Sequence, residues 1–189
     1  MPSYWEGRLV RLRAVEPGDW EIHHEWDQDS SMQRLLDRVH IPRSHEGTRR
    51  WAEQQALREP DGDNFHFEVE TLAGELVGVV NAHDCDRRTG TFEIGIATRT
   101  EHQRKGYATE AIALLLRYYY HELRYQKVTV SIDERNEPSL RLFQHLGFQL
   151  EGRLRRMVYS GGRYYDYIAY GLTIEEFDAS GIIAPFNQD

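Results

Sequence analysis

The heptapeptide Gln103-Arg104-Lys105-Gly106-Tyr107-Ala108-Thr109 follows a strand-like run, opens a long helical one, and sets one of the chain's two lysines beside a glycine. The first turn of a helix holds backbone N–H groups without internal partners and carries the positive end of the helix dipole, so it attracts anions such as phosphate. Gly106 would let the backbone come close to such an anion. Ala108 would keep the next turn narrow, and Arg104 and Lys105 would add positive charge at the rim. The same residues also suit a plain loop with solvated basic side chains. Neither G-x-x-x-x-G-K-[ST] nor G-x-G-x-x-G followed by an acidic residue some twenty positions on is present, which excludes the two commoner phosphate loops.

Thirty residues beyond Gly106, the stretch RNEPSLRLFQHLGFQLEG puts Asn136 at the exit of a buried-strand pattern and Ser139 at the start of a short helix that Gly147 closes. An asparagine amide offers both a donor and an acceptor. A serine hydroxyl there reads two ways, as a hydrogen-bond donor to a ligand or as a helix cap.

The elements that must position these residues follow from periodicity. Leu9 to Val15 alternates as a strand, PGDWEIHHEW reads as a helix with Pro17 in its first turn, and Ser44 caps a helix over HEGTRRWAEQQALRE. Phe65 to Leu72, Glu75 to His83 and Thr91 to Thr98 are short, alternating runs divided by AG and DRRTG turns, which spell an antiparallel meander. A helix then runs to about Leu123, KVTVSID is a buried strand, the short helix follows, and strands around Phe148 to Tyr159 and Tyr164 to Thr173 close the chain. The order βααβββαβαββ predicts one α/β domain over residues 1–189, with a core of about 8–177 and a tail of 178–189.

Composition narrows the function classes. With 40% hydrophobic and 29% charged residues the chain is an ordinary folded protein. The balance of 31 acidic to 23 basic residues, with no long basic run, speaks against nucleic acid as a partner and weakly favours a cationic one. The single Cys85 has no disulfide partner, the opening MPSYWEGRLVRLR lacks a signal-peptide core, and AIALLL is too short to span a bilayer. A cytoplasmic protein with no membrane partner is expected. Nine histidines are scattered without ligand spacing, so no metal is expected either. Trp5, Trp20, Trp26, Trp51 and Tyr118-Tyr119-Tyr120 are read as packing residues rather than a cation cage.

Q-x-x-G-x-A leading into a helix, followed by N-x-x-S-x-x-x-F-x-x-L-G-F-x-x-E-G, resembles the GNAT superfamily of N-acetyltransferases, and the ending EGRLRRMVYSGGRYYDYIAYGL resembles its RimJ/RimL-like (ribosomal-protein alanine acetyltransferase) branch. The similarity runs from RLVRLRAVEPGDW to about Phe177. It implies a mixed, mostly antiparallel sheet with helices on both faces and a V-shaped split between strands 4 and 5 that admits acetyl-CoA. In such a fold the strand Phe92 to Thr98 is bulged and splayed from the parallel strand Val128 to Ile132. Ile96, Ala97 and Thr98 would then pair with the pantetheine arm as an added strand does. The pyrophosphate would rest on the N–H groups of Gln103, Arg104, Lys105, Gly106, Tyr107, Ala108 and Thr109, and Asn136 would bond the pantetheine near its reactive end.

The implied chemistry is attack of a neutral amine on the thioester, with a backbone N–H near Ile96 polarising the carbonyl. Many relatives carry a tyrosine seven residues after the asparagine that protonates the leaving thiolate. That position here is Phe143, counted among the cofactor-contacting residues but unable to donate. Ser139 would instead hydrogen-bond the sulfur. Glu93 and Asp166 are the candidate bases, each also readable as a structural carboxylate. Helices from Asp19 to Asp27 and Ser44 to Glu59 would wall the acceptor side, where Asp27, Asp29 and Asp37 could attract an amine. The leading acceptor is a protein N-terminal α-amine, with a polyamine or small-molecule amine as the alternative. An acyl-CoA sensor without turnover is the reading from another class, and whether two chains pair as a homodimer stays open.

Overall fold

The computed structural model describes residues 3–36 and 38–182. Asp37, one of the acids expected on the acceptor side, lies outside them. Seven strands form one sheet: β1 (Val10–Arg13), β2 (His66–Thr71), β3 (Leu76–Asp86), β4 (Thr91–Thr98), β5 (Lys127–Asp133), β6 (Gln149–Ser160) and β7 (Arg163–Thr173), in the spatial order β1-β2-β3-β4-β5-β7-β6. Among the described residues six α-helices accompany them: α1 (Trp20–Trp26), α2 (Ser30–Leu36), α3 (His45–Ala56), α4 (Tyr107–His121), α5 (Glu137–His145) and α6 (Ile174–Ser180). The expected split α/β architecture is what is observed, with two additions and one refinement. α2 and α6 were not foreseen, and the predicted first helix divides into a 3-10 turn at Pro17–Asp19 and α1.

Alternation sorts the sheet into two faces. Val10, Leu12, Val69, Val80, Ala82, Phe92, Ile94, Val128 and Val130 turn toward α4, which is buried almost all round through Ala111, Ile112, Leu114, Leu115, Tyr119 and Tyr120. Phe92 stacks on Tyr119 with centroids 4.4 Å apart, and Trp5 packs on Phe67 and Tyr118, as expected of packing aromatics. The other face is polar and carries α1 and α3, joined through His23 against Trp51. There Glu68, fully buried, takes His23 Nε2 at 2.9 Å.

Two polar anchors tie distant segments to α4. Glu110 accepts the backbone N–H groups of Arg8, Leu9 and Val10 at 2.9, 2.7 and 2.7 Å, which docks the start of β1 on the helix. Asp63, in the turn before β2, takes Arg87 on both carboxylate oxygens and the Tyr125 hydroxyl at 2.8 Å. Its carbonyl accepts the Tyr119 hydroxyl and the Cys85 thiol.

The sheet's one parallel pair is its functional seam. β4 and β5 pair only at Thr91↔Lys127, Phe92↔Val128 and Glu93↔Thr129, whereas β5 stays paired with β7 from Lys127 to Asp133 and β4 with β3 from His83↔Glu93 to Gly78↔Thr98. Beyond Glu93 the two strands part. The expected bulge does not fall within this stretch of β4. The register against β3 is unbroken there, and the irregularity lies between His83 and Asp86, because β3 runs three residues past its predicted end.

Candidate active site

Where β4 and β5 part, a cleft of about 480 Å³ opens, within the usual range of small-molecule sites. Four segments wall it. Ile96, Ala97 and Thr98 come from the free edge of β4, and Gln103, Arg104, Gly106, Tyr107, Ala108 and Thr109 from the start of α4. Asn136, Pro138, Ser139 and Leu142 come from α5, and Asp29, Ser31, Met32, Leu35 and Leu36 from α2 and its cap. The structure thus brings together twelve of the residues singled out in the sequence, Asp29 among them, from four separate segments.

The turn into α4 is built by its backbone. Arg104 (φ 60°) and Gly106 (φ 85°) are both left-handed, and Gly106 is the N-cap, so Tyr107, Ala108 and Thr109 present first-turn N–H groups that the helix itself cannot satisfy. A left-handed residue followed by a helical one turns successive N–H groups into one concavity, the geometry of an anion nest. Gly106 is needed for its φ, and a Cβ there would meet Leu9 Cδ1 at 3.2 Å, on the β1 side.

Lys105, Phe143 and Glu93 stand apart from the cleft. Lys105 is not in its wall, and Nζ lies 3.5 Å from His102 Nδ1. The buried His102, which does line the cleft, has Nε2 3.3 Å from Glu75. Phe143 is 1% exposed and packs edge-on against Phe148 at 4.9 Å, so it belongs to the core and contacts no cleft surface. Its predicted cofactor contact is withdrawn, because the helix turns that position inward. Glu93 sits at the vertex of the seam, outside the cleft wall and opposite His83 on β3. His83, Asp84 and Glu93 bring one ligand atom each within 4.8 Å of one another, with His83 Nδ1 3.1 Å from Asp84.

Asp166 is occupied structurally. It accepts the Arg156 N–H and the Arg153 guanidinium, each at 2.9 Å, and these bonds hold its carboxyl below the usual range. It sits on the β6–β7 hairpin in a bonded network rather than in the cleft.

Asn136, rather than Ser139, caps α5. Its Oδ1 accepts the Ser139 N–H at 3.2 Å, which makes Ser139 the third helical residue and overturns the cap reading of that serine. The other half of the amide is also engaged, as Nδ2 donates to the Leu35 carbonyl at 3.2 Å and the neighbouring Arg135 donates to the Arg34 carbonyl at 3.4 Å. Two consecutive residues thus hold the C-terminal end of α2 against the cleft. The α2 wall escaped sequence reasoning. An Asp at position 29 ahead of a seven-residue helix is the cap signal that could have found it.

Residues 9–149 match the Acetyltransferase (GNAT) domain. The SPbeta prophage-derived uncharacterized N-acetyltransferase YokL of Bacillus subtilis is 39% identical over 176 residues, covering 93% of this chain and 96% of that protein. The spermidine N(1)-acetyltransferase of Escherichia coli is 27% identical over 168 residues, covering 89% and 86%. Among solved structures, an acetyltransferase (GNAT family) from Bacillus anthracis superposes with a TM-score of 0.76 at 24% identity, covering 90% of this chain and 98% of that one. The spermidine N-acetyltransferase of Vibrio cholerae, solved with CoA and spermine, superposes at 0.76 and 23% identity, covering 89% and 97%. The parted strands, the left-handed glycine opening α4 and the match over most of the chain lead to one conclusion: this protein is a member of the GNAT family and an acetyltransferase.

Proposed function

We propose that the chain transfers an acetyl group from acetyl-CoA to a primary amine, and that the amine is a protein or peptide N-terminus, as in the RimJ/RimL-like branch. The observation that carries the transfer reading is the free edge of β4 beside the first turn of α4, because it supplies an unpaired strand edge and an anion nest in one cleft. The residues suit the cosubstrate. Ile96, Ala97 and Thr98 offer main-chain groups to the amides of the pantetheine arm, and the N–H groups from Gly106 to Thr109 offer donors to its diphosphate, with Arg104 adding charge. When bound, acetyl-CoA supplies an activated acetyl group on a thioester.

What this chain's residues add is positioning and proton handling. Ser139, half-buried in the cleft wall, offers its hydroxyl to the departing sulfur, a role of hydrogen-bonding stabilisation since a serine is a poor acid. Glu93, at the seam vertex and outside the cleft wall, is the proposed acceptor of the amine's proton, directly or through water. A polyamine acceptor is the second reading, favoured by the E. coli spermidine N(1)-acetyltransferase among the relatives. The buried Phe143 leaves that position without a proton donor.

Thiol release from acetyl-CoA, measured over peptides beginning with Ala or Ser and over spermidine, tests the proposal. Release on the peptides with kcat about tenfold lower in Ser139→Ala and an unchanged KM for acetyl-CoA supports it. Release on spermidine alone moves the assignment to the second reading, and tight CoA binding without release on any acceptor identifies a sensor.

A further inference from the structure

The far end of β3 gathers groups that can hold a metal, although no spacing in the chain announces them. His83 and Asp84 are consecutive strand residues, and in a regular strand their side chains would point to opposite faces. Here they meet, with His83 Nδ1 3.1 Å from Asp84 Oδ2. The pairing of β3 with β4 slips between His83 and Asp86, and Asp84 takes a left-handed φ of 49°, which re-aims its side chain. Glu93 comes from the next strand, as the residue directly opposite His83. The three groups bring one ligand atom each within 4.8 Å of one another.

Charge gives that meeting its meaning. Two carboxylates this close repel each other unless a proton or a cation lies between them. Among the described residues neither Asp84 nor Glu93 is paired with a lysine or an arginine, and the half-buried Glu93 accepts no hydrogen bond. A divalent ion would supply the missing charge. Three ligands at about 2.0–2.2 Å from a tetrahedral zinc ion stand about 3.3–3.6 Å apart, so a spread of at most 4.8 Å closes by small rotations of the exposed His83 and Asp84 side chains. The imidazole decides which ion fits. Magnesium and calcium take oxygen ligands, whereas one ring nitrogen and two carboxylates suit zinc and its first-row neighbours, with a further position open to water.

We infer that His83, Asp84 and Glu93 form a binding site for a zinc-type divalent metal ion at the vertex of the β4–β5 seam. None of the three lines the cleft, so the site is separate from the anion nest. An ion there takes up Glu93, the group proposed to accept the amine's proton, and so acts as a brake on transfer. That consequence rests on the acetyl-transfer reading, whereas the binding is measurable without turnover.

Calorimetric titration of the untagged, metal-free protein with zinc tests the site. The natural chain should bind one zinc ion, and His83→Ala, Asp84→Asn and Glu93→Gln should each bind it at least tenfold more weakly. Zinc should raise the melting temperature of the natural chain and leave that of His83→Ala unmoved. Cobalt(II) should give visible absorption that zinc abolishes and magnesium does not. Cys85→Ser is the control for adventitious thiol binding, since that thiol is engaged with the Asp63 carbonyl, and it should bind zinc as the natural chain does. No zinc binding, equal affinity in the natural chain and His83→Ala, or binding lost in Cys85→Ser overturns the inference. Saturating zinc should also lower the yield of acetylated product, followed by mass spectrometry, about tenfold in the natural chain and not in His83→Ala. Zinc binding that depends on the three residues but leaves the product yield unchanged would keep the metal site and sink the role proposed for Glu93 in transfer.

Discussion

Replacing Glu110 tests how the start of α4 is held. Its carboxylate serves three consecutive backbone N–H groups, and those of Arg8 and Leu9 can return to water when it is removed, since both residues are exposed. Val10 is fully buried, so its N–H would stay unsatisfied. An orphaned buried donor costs about 1–3 kcal/mol and a lost bond to a charged acceptor about 1.5–3, so Glu110→Ala is expected to cost roughly 3–5 kcal/mol in all, the three bonds not being additive. At about 2–4 °C per kcal/mol for a domain of this size, the melting temperature should fall by roughly 10 °C. Gly7 supplies a second arm of the test. A Cβ there would lie 2.5 Å from Glu110 Cδ and 2.6 Å from Oε2, against a side chain that three bonds hold in place. Gly7→Ala alone should therefore cost about 1–3 kcal/mol by overpacking. Added to Glu110→Ala it should cost nearly nothing, or stabilise by some tenths through lost unfolded-chain freedom. Urea unfolding of the two single variants and the double variant closes the cycle. Additivity within about 0.5 kcal/mol, or a Glu110→Ala cost under about 1 kcal/mol, would refute the reasoning.

Glu68, buried beside His23 and with His66 Nε2 at 3.6 Å, has a carboxyl that burial would raise, but the two histidines outweigh burial and hold it at about 2. A folded pKa below the ordinary glutamate value of ~4.3 gives stability that is fully present above that value and lost as pH falls toward about 2. Glu68→Gln should accordingly flatten the acid limb of the stability curve between about pH 4.5 and 2, and an unchanged limb in urea titrations would contradict this. Burial pushes the Cys85 thiol up to about 11, and Sγ donates to the Asp63 carbonyl at 3.2 Å. Ellman's reagent should label it slowly at pH 8 in the native protein and rapidly in denaturant, and equal rates would refute the burial argument. Gly106→Ala should cost about 1–2 kcal/mol of stability from its left-handed φ, with Leu9 giving way by some tenths of an ångström. A melting temperature equal to that of the natural chain would mean that the loop relaxes freely.

The sequence is most readable where one physical signal dominates. Thr91 to Thr98 alternates after the turn glycine Gly90 and forms β4 with those same bounds, and Gly106 at the strand-to-helix junction is the left-handed cap its position suggests. The anion nest follows from backbone geometry that a glycine announces. Side-chain destinations are less readable. Phe143 and Ser139 share a helix, and only its packing on Phe148 decides that one faces the core and the other the cleft. Lys105 is drawn to His102 by a neighbour that no spacing rule identifies. α2 escaped because it is short and is held by Gln33, Arg135 and Asn136 rather than by its own amphipathicity. α6 did carry a legible signal, the capping box from Thr173 to Glu176, hidden at the end of a strand-like run.

The turn at Asp63 has a consequence for how this chain tolerates change. Surface turns are ordinarily the places where a protein absorbs insertions at little cost. This one joins the strand bearing Cys85, the hairpin arginine Arg87, the far end of α4 at Tyr119 and the turn beyond it at Tyr125, all through one aspartate. It serves as a non-covalent rivet in a chain that has no crosslink of its own, and lengthening it by a single residue would loosen three pieces of the molecule together.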